Sequence, residues 1–103
     1  MEGEWREVGA VSELLDNLPY ELIHNDEHII ITREQDEWVA YTLRCPHKGA
    51  LMRLVDYRDG QLACPLHSWR FDLKNEGNEM HGYVNLMQYE TTVRGDKLFV
   101  QID

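Results

Sequence analysis

Both cysteines of the chain fall in one stretch, residues 45–72. Each is followed at once by proline and shortly afterwards by histidine, as Cys45-Pro46-His47 and Cys64-Pro65-Leu66-His67. The four soft or borderline ligands therefore come as two clamps, C-x-H and C-x-x-H, with sixteen residues between His47 and Cys64. Thiolates and imidazoles together suit zinc, copper or iron–sulfur chemistry, not hard ions such as calcium. Whatever fold the chain adopts must bring two separate loops to one point.

The setting bears on how those cysteines are read. Residues 1–11 show no cationic segment followed by an apolar one, so no secretory signal is expected. No apolar run approaches the length that crosses a bilayer, so no membrane is expected. A cytoplasmic, reducing compartment is then the expectation, where cysteines flanked by histidines read as metal ligands more readily than as a disulfide. A net charge of −9 argues against nucleic acid as a partner, because phosphate binding needs a basic surface. The same charge either favours a partner with a basic docking patch or only keeps the protein soluble.

At 103 residues the chain is expected to form a single domain over 1–103. Residues 5–8 read as a short edge strand and residues 11–15 as one helical turn stopped by Pro19. Residues 20–23 and the β-branched run 28–33 read as strands, and residues 34–37 as a polar turn into a further strand over 38–43. A second hairpin pairs 55–57 with 61–63 around Asp59-Gly60, since glycine accepts positive φ without strain. Residues 69–73 alternate as a half-buried strand would. Residues 74–82 read as a loop, and 86–93 and 97–102 as two strands joined through Gly95. Short strands with closely spaced turns predict an all-β protein, a small antiparallel sandwich or barrel.

Three readings of the clamps remain open on the residues alone: an iron–sulfur cluster, one structural zinc, or a disulfide with idle histidines. Zinc fingers usually place two cysteines in one clamp and two histidines in the other. Here each clamp carries one of each, so one iron of a two-iron cluster can take two cysteines and the other two histidines.

This mixed pattern resembles the Rieske iron–sulfur domain family, and the wider context of CPHKGA and CPLHSWRFDL resembles its soluble ferredoxins. The resemblance implies one [2Fe-2S] cluster per chain, ligated by Cys45, His47, Cys64 and His67, in a cluster-binding lobe of two hairpin loops over about residues 44–72. It implies a one-electron carrier and not an enzyme, working between a flavin-dependent reductase and a terminal oxygenase or other redox enzyme. An accessory subunit resembling the small subunit of nitrite reductase is the alternative, and a zinc-stabilised interaction domain is the second. High-potential members place serine and tyrosine hydroxyls beside the cluster and add a disulfide. Trp69 and Phe71 stand at those two positions, Ser68 stands at a usual glycine, and no further cysteine exists. A low potential is then expected, because donors to sulfur stabilise the more negative, reduced state. Phe71 and Trp69 are expected to pack in the core, as are Met52, Met80 and Met87. His24, His28 and His81 read as ordinary polar residues, and Lys48 and Arg53 as loop charges.

Overall fold

The β-branched run Ile29-Ile30-Ile31-Thr32 is the centre of the molecule. In the computed structural model, which describes residues 4–14, 18–46, 49–64, 70–74, 77–79 and 85–102, it forms the middle of β3 (Glu27–Glu34). Its neighbours in the central sheet are β2 (Tyr20–His24) and β4 (Glu37–Thr42), and β9 (Gln88–Tyr89) lies beyond β4. All pairings are antiparallel. The run is buried on both faces because side chains alternate along a strand. Ile29 and Ile31 enter one core, and Ile30 enters the other.

The turns on either side of β3 share one geometry. Asn25-Asp26 (φ 48°, 65°) and Gln35-Asp36 (φ 51°, 67°) both hold positive φ at the two central positions. That is the type I′ turn, whose twist matches the strands it joins. The turn expected at 34–37 is present, and Asn25-Asp26 supplies a second of the same kind with no glycine to signal it.

A three-stranded sheet covers the Ile29/Ile31 face. Its order is β1 (Trp5–Ala10), β11 (Lys97–Gln101) and β10 (Thr91–Arg94), so β1 is an edge strand as expected. Leu98 and Val100 of β11 meet Ile29, Ile31 and Ala40 between the two sheets. The helical turn expected near residue 11 is a 3₁₀ turn, Val11–Glu13.

The opposite face carries a third sheet of short strands in the order β5 (Tyr57–Arg58), β6 (Gln61–Ala63), β7 (Arg70–Asp72), β8 (Asn78–Glu79). The expected hairpin is present, but Val55 and Asp56 are not strand. They belong to a 3₁₀ turn, Leu54–Asp56, where Asp56 accepts the Arg53 N–H at 2.8 Å and returns its own N–H to the Arg53 carbonyl at 2.9 Å. Within the expected loop at 74–82, β8 is a strand paired with β7. The chain reaches it through Gly77 (φ 69°), whose N–H donates to the Asp72 carbonyl at 2.9 Å. The strand expected over 86–93 breaks at Glu90: Tyr89 pairs with Ala40 in the central sheet, and Thr91 pairs with Val100 in the outer one. That break is how the chain changes sheets.

The architecture is all-β and antiparallel, as the spacing of strands and turns predicts. Among the described residues no helix is long and apolar enough to cross a membrane.

Candidate metal centre

The first clamp begins where β4 runs on as Leu43, Arg44 and Cys45. The chain doubles back on this extension. Met52 N–H donates to the Leu43 carbonyl at 2.7 Å, Arg44 bridges to Leu51, and Cys45 N–H donates to the Ala50 carbonyl at 2.8 Å. The loop is closed by Gly49, whose N–H returns to the Cys45 carbonyl at 2.7 Å. Gly49 has φ 71°, a conformation that costs an L side chain energy. The Arg44 guanidinium donates to the Gly49 carbonyl at 3.1 Å and pins the same loop from outside.

The second clamp leaves the end of β6. Leu62 pairs with Phe71 and Ala63 with Arg70, so Cys64 directly follows the last pair of the β6–β7 ladder. Leu73 N–H donates to the Gly60 carbonyl at 2.8 Å, which fastens the far end of that hairpin to the Asp59-Gly60 turn. Asp59 and Gly60 both have positive φ, as the Asp-Gly dipeptide predicts.

The two cysteines converge. Cys45 is 0% exposed and Cys64 2%, and both belong to one buried cluster with Leu43, Met52, Leu62 and Phe71. No disulfide joins them. Met52 and Phe71 are core residues, as expected, whereas Met87 is 53% exposed and does not pack. His47 and His67 lie outside the described residues, as do Lys48, Ser68, Trp69, Met80 and His81.

The donor chemistry fits a cluster with sulfur ligands. A thiolate stripped of water in an apolar core is costly unless a metal balances its charge. Two such thiols are brought into one buried cluster from separate loops, and each has a histidine close by in sequence that would complete a soft donor set of four.

A partly buried polar contact ties the third sheet to the central one. The Tyr57 hydroxyl on β5 donates a short hydrogen bond to the Glu34 carboxylate at the end of β3. Glu34 is 8% exposed, an uncommon place for a carboxylate. Burial first, and then the hydrogen bond to Glu34 and its charge, push the Tyr57 phenol above its ordinary value, so it stays protonated as a donor. Tyr89 is raised for the same kinds of reason, by burial and then by the charge of Glu27. His28 and His24 are engaged in surface polar contacts, with Glu21 at 2.6 Å and with Arg6 at 3.0 Å.

Comparison with known proteins places these features. The Rieske [2Fe-2S] domain family profile matches residues 4–90. The cytochrome b6-f complex iron–sulfur subunit of Chlorobaculum thiosulfatiphilum is 28% identical over 90% of this chain and 51% of its own length. The anthranilate 1,2-dioxygenase ferredoxin subunit of Burkholderia cepacia is 30% identical over 69% of this chain and 66% of its own. The chain thus spans about half the length of the first relative. The fold matches the ferredoxin of carbazole 1,9a-dioxygenase from Nocardioides aromaticivorans IC177, with TM-score 0.66, 20% identity, and coverage of 93% of this chain and 95% of that one. It also matches a chain in the reduced complex between oxygenase and ferredoxin of carbazole 1,9a-dioxygenase, with TM-score 0.79, 16% identity, and coverage of 97% and 28%.

Proposed function

The chain belongs to the Rieske [2Fe-2S] domain family, and on that footing we propose that it is a one-electron carrier, not an enzyme, whose cluster is held by Cys45, His47, Cys64 and His67. The observation that carries this reading is the burial of Cys45 and Cys64 in one apolar cluster, reached from two separate loops. The family binds a [2Fe-2S] cluster, and the dioxygenase ferredoxin subunit is a homologue. When bound, the cluster supplies a site that gains and loses a single electron at a potential set by its ligands and surroundings.

The chain's own residues set those surroundings. Leu62, Phe71, Leu43 and Met52 exclude water from the two sulfurs, and Arg44 and Gly49 fix the first loop. Phe71, fully buried in the same cluster, offers no hydroxyl where a tyrosine would bring one. Among the described residues the surround of the two sulfurs is apolar and Phe71 brings no hydroxyl; such a surround disfavours added negative charge, so the potential is low, near the bottom of the family's range of roughly −150 to +300 mV. The donor of electrons is a flavin-dependent reductase and the acceptor a terminal oxygenase, in the cytoplasm, with residues 1–103 as one domain. Likeness to an oxygenase-system ferredoxin supports that placement.

A second reading has an observation of its own. In several relatives the matched region is part of a longer chain, which favours an accessory module of a larger redox enzyme. Co-purification with a large oxidoreductase selects the module over the free carrier.

Purified protein tests the proposal directly. Two iron and two sulfide per chain, with a midpoint below about +100 mV, is the expected result. One zinc and no sulfide overturns it in favour of a structural zinc domain, and a midpoint above that value overturns the argument from Phe71.

A further inference from the structure

The net charge of −9 hides a sharp segregation. Residues 44–74 carry six of the ten Lys and Arg residues (Arg44, Lys48, Arg53, Arg58, Arg70, Lys74) against three carboxylates, Asp56, Asp59 and Asp72. The remaining residues carry four cations against sixteen carboxylates. Extending the segment through β8 adds Glu76 and Glu79, and six cations still stand against five carboxylates. Two of the three carboxylates in 44–74 are turned to the backbone: Asp56 accepts the Arg53 N–H at 2.8 Å, and Asp72 accepts the Lys74 N–H at 3.0 Å.

The third sheet sorts its side chains accordingly. Opposed residues of antiparallel strands share a face. Leu62 and Phe71 oppose each other and point into the core that holds the cysteines. Ala63 and Arg70, one step along from Cys64 on the same pair of strands, therefore lie on the outer face, with Gln61 and Arg58. There a concavity of about 580 Å³ is lined by three cations, Arg58, Arg70 and Lys74, and two carboxylates, Asp56 and Asp59, of which Asp56 is turned to the Arg53 backbone. Val55, on its wall, is 74% exposed, the most exposed large apolar side chain among the described residues. Among the described residues no carboxylate forms an ion pair with Arg58, Arg70 or Lys74, whereas Lys97 and Arg33 of the acidic remainder pair with Glu7 and Asp36. Arginine is enriched at protein interfaces, and an exposed apolar side chain beside two arginines gives a partner something to bury.

We propose that the outer face of this sheet, around Arg58, Arg70, Lys74 and Val55, is the docking surface for the acidic face of a protein redox partner. The inference rests on the electron-carrier reading and fixes the sign of the partner's charge. It runs against one of the two readings of the net charge, a partner with a basic docking patch, and leaves the total charge the role of keeping the protein soluble. Charges beyond a Debye length of about 8 Å are largely screened at physiological ionic strength, so the local excess at the lobe governs docking, not the total. Steering of this kind acts on the association rate.

Small redox reagents of opposite charge test the sign without knowing the partner. Iron and sulfide analysis first establishes that the sample is loaded; a sample without them sinks the carrier reading itself, an outcome separate from the sign of the docking charge. The reduced protein then gives one electron to ferricyanide, forming ferrocyanide, or to hexaamminecobalt(III), reducing it to cobalt(II). Between about 10 and about 200 mM salt, ferricyanide oxidation is expected to slow by about tenfold, while the cobalt cation reacts no slower. The triple substitution R58E/R70E/K74E should reverse both trends, and R94E/K97E on the outer sheet should leave them as in the parent. A readout free of electron transfer is carbodiimide coupling to poly-glutamate, with adducts expected on Lys74 and not on Lys97. A ferricyanide rate that rises with salt, or adducts concentrated on Lys97, overturns the proposal, and the parent protein alone decides it if the triple variant does not fold.

Discussion

The two faces of the central sheet are built on different terms. Towards the outer sheet, Ile29, Ile31, Ala40, Leu98 and Val100 meet on strands of five to eight residues, with Val8, Leu22 and Trp38 closing the sides. Towards the lobe, strands of two or three residues enclose Cys45 and Cys64 together with Ile30, Tyr41, Met52 and Phe71. Strands that short cannot hold a sheet on their own. The first face is held by packing between long strands; the second relies more on its loops, a few cross-links and, on the proposed reading, the cluster the sulfurs would bind.

The largest test of that difference is Cys64→Ser. It should abolish iron binding and speed amide exchange in residues 57–63 and 70–73 by more than about 100-fold, because metal binding is coupled to folding at such sites. Exchange in β3 and β11 should change little. Equal loss of protection on both faces would merge them into one cooperative unit. On the other face, Leu98→Ala empties a fully buried position and should cost about 2–5 kcal/mol in chemical denaturation, with iron content unchanged.

Smaller effects sharpen the lobe side. At Gly77 a Cβ would lie 2.7 Å from the Tyr41 ring and would sit at φ 69°. Gly77→Ala should therefore cost about 1–3 kcal/mol, read as a shift of the denaturation midpoint at constant slope. Tyr57→Phe leaves the buried Glu34 carboxylate without its donor and should cost about 1–2 kcal/mol. The same variant carries a pH signature. The folded protein holds the Tyr57 proton more tightly than the unfolded chain does. That stabilisation is complete below the ordinary phenol value of about 10 and declines as the pH rises past it. Alkaline titration of stability should show this decline in the parent and lose it in Tyr57→Phe.

The sequence exposed the parts of the molecule whose chemistry is local. Cys45 and Cys64 stand out by their prolines and histidines, Asp59-Gly60 by its turn preference, and β3 by its β-branched run. What it concealed depends on partners far along the chain. Asn78 and Glu79 have no strand signal, and they pair only because Gly77 turns them against Phe71 and Asp72. Residues 86–93 read as one strand because nothing local marks Glu90, where the chain exchanges one neighbour for another. Met87 looks like packing material and is exposed, because the strand it precedes covers the central sheet only at Gln88 and Tyr89. The charge segregation was present in the sequence throughout, but a single net figure averaged it away.

Burial of β3 on both faces has one more consequence. In a sheet with one wet face, sliding a strand by a single residue throws its apolar side chains into water, and that penalty guards the alignment. Ile29, Ile30 and Ile31 carry the same side chain, so a slide exchanges isoleucine for isoleucine at two of the three positions, and the penalty falls only where His28 or Thr32 would take the third. The alignment must then be guarded from the ends, by the two tight reversals at Asn25-Asp26 and Gln35-Asp36 that leave the strand no slack.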